Sequence, residues 1–192
     1  NHGLFKLKKR PQWYTVTNRS RTYVKKILEK ISGEIFKNYK VNKVTRSDDN
    51  VRISIGNEYL DYDHIILASH ADQSLNLLDN PSSKEKEILG KFTYVSNIAF
   101  LHTDKNLMPK RKEAWSSWNS ITKDNNTCVT YWLNKLQNLK TDVDYFLTLN
   151  PVENIPESKI IKKINFTHPY FNKENINLQK DLHLLQGKKR TW

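Results

Sequence analysis

The run His64-Ile65-Ile66-Leu67-Ala68 is apolar on consecutive positions. A strand with one wet face alternates apolar and polar residues, whereas a consecutive run belongs to a strand covered on both faces. The run therefore predicts a parallel or mixed α/β sheet around it. Ala68-Ser69-His70 follows at the carboxyl end of that strand, where such sheets place ligands. His70 is placed either to meet a ligand or to cap the helix that begins at Ala71. Ser69 lacks the glycine-flanked elbow of a hydrolase nucleophile. Asp72 beside His70 is adjacency in sequence, not triad geometry.

Upstream, 6–12 is basic and polar, Pro11 opposes helix, and Trp13, Tyr14 and Val16 form a short apolar patch. Ser20 is a candidate N-cap for a helix over 21–37. On it Tyr23, Val24, Ile27, Leu28, Ile31, Ile35 and Phe36 follow the spacing of one face. Gly33 weakens its last part. Val41 and Val44 mark a first strand, and Val51, Ile53 and Ile55 alternate in a second. Ser47-Asp48-Asp49-Asn50 supplies the turn between them, and Gly56-Asn57 turns into Tyr59-Leu60-Asp61. Short helices are predicted over 71–78 and 83–89, the second capped by Ser82 or Ser83.

After Gly90 the texture changes to a meander. Strands are predicted over 92–102, 115–121, 128–133, 145–149 and 160–166, and an amphipathic helix over 172–185 with Ile176, Leu178, Leu182 and Leu185 facing inward. The connection His102–Asn119 carries a proline, basic side chains and the pair Trp115 and Trp118, which is more than a simple turn requires. Trp115, Trp118 and Trp132 either line a cleft or fill the core of a small antiparallel sheet, and the core reading is favoured. The chain is thus an α+β protein in two parts, 1–90 with α/β texture and 91–192 with antiparallel strands and a final helix.

Cys128 is the only cysteine, so no disulfide framework forms within these 192 residues. Six histidines show no metal-ligand spacing, and no metal site is predicted. Among five glycines none forms a phosphate-binding loop. No run reaches the length of a transmembrane helix, and no signal peptide pattern is present. The net charge of +12 points first to an anionic partner. Its lysines are scattered along the chain, however, which makes a poor phosphate track, and no nucleic-acid partner is expected. The rival reading is a non-enzymatic basic module for nucleic acid or an anionic membrane. The chain begins at Asn1, not Met, as a piece of something longer would.

Several ordered blocks carry a family resemblance. They are Ile66-Leu67-Ala68-Ser69-His70-Ala71-Asp72-Gln73, Leu101-His102-Thr103-Asp104, Leu107-Met108-Pro109-Lys110-Arg111 and Ala114-Trp115-Ser116-Ser117-Trp118-Asn119. Val129-Thr130-Tyr131-Trp132-Leu133-Asn134-Lys135-Leu136-Gln137, Thr148-Leu149-Asn150-Pro151, Thr167-His168-Pro169 and Leu185-Gln186-Gly187 with Arg190-Thr191-Trp192 complete the set. From Pro11 to Trp192 the chain resembles a bacterial family of predicted FAD-dependent oxidoreductases in the flavin amine oxidase superfamily.

The resemblance implies a cytoplasmic flavoprotein and the central part of a longer chain. The glycine-rich βαβ unit would lie upstream and a flavin-lining segment downstream. It implies that the first part belongs to the FAD-binding α/β domain, with Val41, Ser69 and His70 near the cofactor. The second part would be an antiparallel substrate sheet roofing the flavin, with Asn97 and His102 as catalytic candidates and Trp118 and Trp132 lining the substrate site. The substrate would be a small molecule, apolar or lipid. The piece alone would be inactive and would not retain FAD. Asn18-Arg19 stands where relatives have Gly-Gly, and Asn97 where amine oxidases carry a lysine near the flavin.

Overall fold

The structure, a computed structural model, describes residues 11, 12 and 14–192. The basic stretch 6–10 and Trp13 lie outside the described residues. The chain is α+β, with a three-stranded sheet, a five-stranded sheet and short helices. It forms two compact units, each made of two stretches: Asn1–Glu34 with Asn97–Phe166, and Ile35–Ser96 with Thr167–Trp192. The chain passes between the units three times, after Glu34, after Ser96 and after Phe166.

In the second of these units, β1 (Lys43–Arg46), β2 (Val51–Ile55) and β3 (Glu58–Tyr62) form an antiparallel meander. Ser47 Oγ accepts from the backbone N–H of Asp49 and Asn50 and closes the first turn. Gly56, at φ +60°, closes the second, which needs a left-handed residue. Val44, Val51 and Leu78 form the buried core, with Val41, Ile53, Ile65 and Leu67 packed on it. Helix α2 (Ala71–Leu77) follows, then α3 (Ser83–Leu89). Ser82 and Glu85 form a reciprocal capping box on α3. Glu85 also meets Arg46 in a buried ion pair. Burial alone pushes the Glu85 carboxyl up, but hydrogen bonds from Arg46 and Ser82 outweigh it and hold it down at about 2.

The run 64–68 departs from expectation. It pairs in parallel through a single bridge, Ile65 with Thr191, while Ile65 N–H donates to Arg190 O and Leu67 N–H to Trp192 O. Ile66 between them is 76% exposed, so this run is not covered on both faces. The closing helix is also shorter than predicted. Helix α5 spans Lys173–Leu178 and tightens into a 3-10 helix over Gln179–Leu184. Ile176 is exposed there, not inward.

In the other unit, α1 spans Ser20–Leu28 and not 21–37. Its N-cap is Arg19, and Ser20 is already helical. No residue of α1 is buried, and Tyr23, Val24 and Ile27 are exposed. A short isolated helix is marginal without a packed face, and Val24, Ile27 and Gly33 do not extend it by propensity. The five-stranded sheet has the order β5-β6-β7-β4-β8. Its strands are β4 (Thr93–His102), β5 (Trp118–Lys123), β6 (Asn126–Trp132), β7 (Phe146–Leu149) and β8 (Ile160–Tyr170). A single turn, α4 (Leu133–Leu136), follows β6.

Candidate functional site

Strand parity decides which candidate side chains can meet. Successive residues of a strand point to opposite faces. In this sheet His102 pairs with Phe146, Trp132 also pairs with Phe146, and Asn119 pairs with Thr130. These residues, with Phe100, Cys128 and Thr148, share one face. Leu101 pairs with Leu147, Ala99 with Leu149 and Trp118 with Tyr131. Those residues, with Asn97 and Val129, share the other.

The first face is covered by the connection His102–Asn119 folding back beneath it. Trp115 is buried and meets Trp132 and Phe146 edge-on, with ring centroids 5.2 and 5.7 Å apart. Its indole N–H donates to Pro109 O at 2.7 Å. Met108 joins this cluster, while Leu107 packs with Cys128 and Ile155. A buried polar chain runs through the same face. Asp104 N–H donates to His102 Nδ1 at 3.1 Å, so the proton of the neutral ring sits on Nε2. Nε2–H donates to Thr148 Oγ1 at 2.8 Å, and the Thr148 hydroxyl continues to Thr130 Oγ1 at 2.8 Å. Asn119 donates to Thr130 O and Ser116 O and accepts from Ser116 N–H, closing the far end. Burial lowers the pKa of His102, and nearby Asp104 only partly offsets it. Asp104 is itself 1% exposed and paired through Oδ1 with Lys159.

His102 therefore lies within the core, with no part of it reaching solvent, and Trp132 packs partly buried against the core cluster. Trp132 donates its indole N–H to Asp144 at 3.0 Å. Asn97 and Trp118 lie on the opposite, open face. Trp118 is 62% exposed and meets Tyr131 edge-on at 5.7 Å. Asn97 Oδ1 accepts from Asn150 Nδ2 at 2.7 Å, and Asn150 Oδ1 takes the N–H of Ile98 at 2.9 Å. Asn150 holds this position in the left-handed region at φ 47°, which asparagine tolerates. It clamps the strand that carries Asn97, a role invisible in its reading as a strand end. The signal that separates the candidates was present in the numbering: 97 and 102 differ by an odd count on one strand.

Two neighbouring cavities lie in this unit, and one of them adjoins Trp118. One, of about 660 Å³, is walled mainly by Tyr14, Trp118 and Leu136, with Lys135 at its edge. The other, of about 500 Å³, lies between 15–20 and 137–140 and carries Arg19 and Lys140. Thr15 and Asn138 line both. Asn18 and Arg19 sit at φ 61° and 70°, Arg19 with ψ −177°, a conformation that only glycine adopts without strain.

The remaining candidates lie in the other unit. Val41 packs on the Val44 core. His70 precedes α2 and caps it without a side-chain bond. Its ring stacks on Tyr94 at 4.3 Å, and Tyr94 Oη accepts from Ala71 N–H. Ser69 Oγ bonds Ser74 Oγ at 2.8 Å. Among the described residues no group of three or more His, Cys, Asp or Glu could hold a metal ion, and no helix is long and apolar enough to cross a membrane.

No protein-family profile matches the chain, and no curated protein matches its sequence. Solved structures do match its fold. A CLA-producing fatty acid isomerase from P. acnes superposes over 90% of this chain with a TM-score of 0.60 and 14% identity. A putative protoporphyrinogen oxidase from Exiguobacterium sp. 255-15 does so over 90% with a TM-score of 0.54 and 11% identity. The chain spans 46% and 45% of those two chains, somewhat under half of each. At such identities it is the fold that is shared.

Proposed function

We propose that this chain is the central portion of an FAD-dependent, amine oxidase-like oxidoreductase that removes hydride from an apolar or lipid substrate. The observation that carries the reading is the fold match across nine-tenths of the chain to an isomerase and an oxidase. It agrees with the family resemblance of the motif blocks, and it remains an analogy of fold. The open sheet face supports it locally. A redox cofactor supplies the electron chemistry, and the protein supplies position and exclusion of water.

The residues present do not fit FAD on their own. A dinucleotide pyrophosphate needs a glycine turn leading into a helix N-terminus. Among the described residues the glycines sit elsewhere: Gly56 in a hairpin, Gly90 at the C-terminus of α3, and Gly187 against the ring of Trp192. Gly33 lies beyond the end of α1. Val41, Ser69 and His70 would add one wall to a site completed by further chain. On the substrate side we assign Asn97 and Trp118 to the ligand face, and His102 and Trp132 to the support beneath it.

The test compares this chain with the longest product of its gene, each passed over gel filtration with added FAD. The chain is expected to elute colourless, and the longer product yellow. A colourless longer product that takes up no FAD overturns the reading.

A further inference from the structure

We infer that the paired cavities beside Trp118 bind an amphipathic anion, a long acyl chain ending in a carboxylate. The larger cavity is apolar, walled by Tyr14, Trp118 and Leu136. The smaller is polar and basic, with Arg19 and Lys140. They are neighbours, since Thr15 and Asn138 line both. Lys135 lines the larger cavity, its Nζ donating to Trp115 O at 3.5 Å. No aspartate or glutamate lines either cavity, so the three cations face no built-in counter-ion there. Both volumes fall in the range of small-ligand sites.

The division of labour follows from the lining. A chain of methylenes laid on the exposed ring of Trp118 removes apolar surface from water on both partners. A carboxylate at the Arg19 end would gain a forked donor, which guanidinium provides and ammonium does not. The left-handed backbone at Asn18 and Arg19 sets where that fork begins. A neutral hydrocarbon would leave the basic end unused, and a short acid would leave the apolar end wet. An amphipathic monoanion uses both. The inference rests on the flavoenzyme reading only where it calls this ligand the substrate; binding is measured without flavin, so it fails or stands separately from flavin uptake.

The experiment titrates the chain with oleate below its micellar concentration, by calorimetry and tryptophan fluorescence. Parallel arms use oleyl alcohol, butyrate and phosphatidylglycerol vesicles. Saturable binding of one oleate is expected, with each CH₂ removed from the acid weakening it by up to about fourfold. Arg19→Gln and Lys140→Gln should each weaken oleate by about fivefold and leave oleyl alcohol unchanged. Trp118→Ala should weaken both ligands. Circular dichroism and melting of each variant separate lost binding from lost folding, and Trp118→Phe should keep most of the affinity. Non-saturable uptake overturns the proposal, as does equal affinity for oleate and oleyl alcohol. Sedimentation with vesicles that oleate does not compete away assigns the patch to a membrane surface instead, and also overturns it.

Discussion

Phe146 and Leu147 are neighbours in β7, yet Phe146 is fully buried and Leu147 is only partly so. The difference recurs in β6, where Cys128 and Thr130 are buried and Val129 and Tyr131 only partly so, whereas in β4 Ala99 of the second face is buried as well. One face holds Trp115, Trp132 and Phe146 over a closed chain of hydrogen bonds from His102 to Asn119. The other presents Trp118 and Asn97 outward. The same strands thus make a covered face and an open face, and the alternation of side chains is all that separates them. Polar residues appear on both, but those beneath are hydrogen-bonded, as burial demands, with Asp104 Oδ2 the exception among the described residues.

The contrast is broken most strongly in the core. Phe146→Ala should destabilise the protein by about 3–5 kcal/mol, since Trp115 and His102 cannot both collapse into the space. Leu147→Ala, one position along, should lose about 1–2 kcal/mol, because less of its surface leaves water on folding. Urea unfolding of both variants checks the ratio. Equal losses would mean that the open face is core as well.

A pH profile sharpens the same contrast. Burial holds the pKa of folded His102 below the ordinary 6.5, with Asp104 opposing it. The unfolded chain therefore binds the extra proton first. Stability is complete above about pH 6.5 and falls as pH drops toward the folded pKa, by no more than about 1.4 kcal/mol per pH unit. His102→Gln should flatten that stretch of the profile. Glu85, ordinary value 4.5 and held at about 2, contributes in the same direction but only at lower pH. The smallest expected effect is on the open face. Trp118→Ala should change stability by no more than about 0.5 kcal/mol, measured by thermal melting, while reducing ligand binding.

Much of this architecture was legible in the residues. Ser82 before Glu85 announces the start of α3, and Ser47 to Asn50 and Gly56 announce the hairpins, because each is a local backbone requirement. The strands of the meander follow from β-branched and aromatic runs. What escaped was decided by distant partners. The apolar spacing on α1 marks a helix correctly but does not say whether anything packs on it. Consecutive apolar residues in 64–68 look buried, but their ladder partner is at 190–192, and Ile66 stays exposed. The resemblance gives His102 and Trp132 to the flavin side, and their strand parity, opposite to Asn97 and Trp118, puts them on the covered face; Trp118, for which the core reading is favoured, is exposed instead. Tyr14 carries no motif, Asn150 and Lys135 stand in blocks that mark a family without marking a role, and only the fold brings the three to the open face.

The bridge from Ile65 to Thr191 has a consequence for the order of assembly. It joins positions separated by most of the chain, so its loop-closure entropy must be met before its hydrogen bonds exist. Contacts of that span slow folding. On the ribosome, the hairpins β1 to β3 can form as soon as they emerge, but Ile65 and Leu67 must wait for Arg190 and Trp192. Until residues 190–192 emerge, a strip of isoleucine and leucine backbone stands unpaired. The edge most exposed to misassembly during synthesis is therefore the one that Arg190 to Trp192 seal.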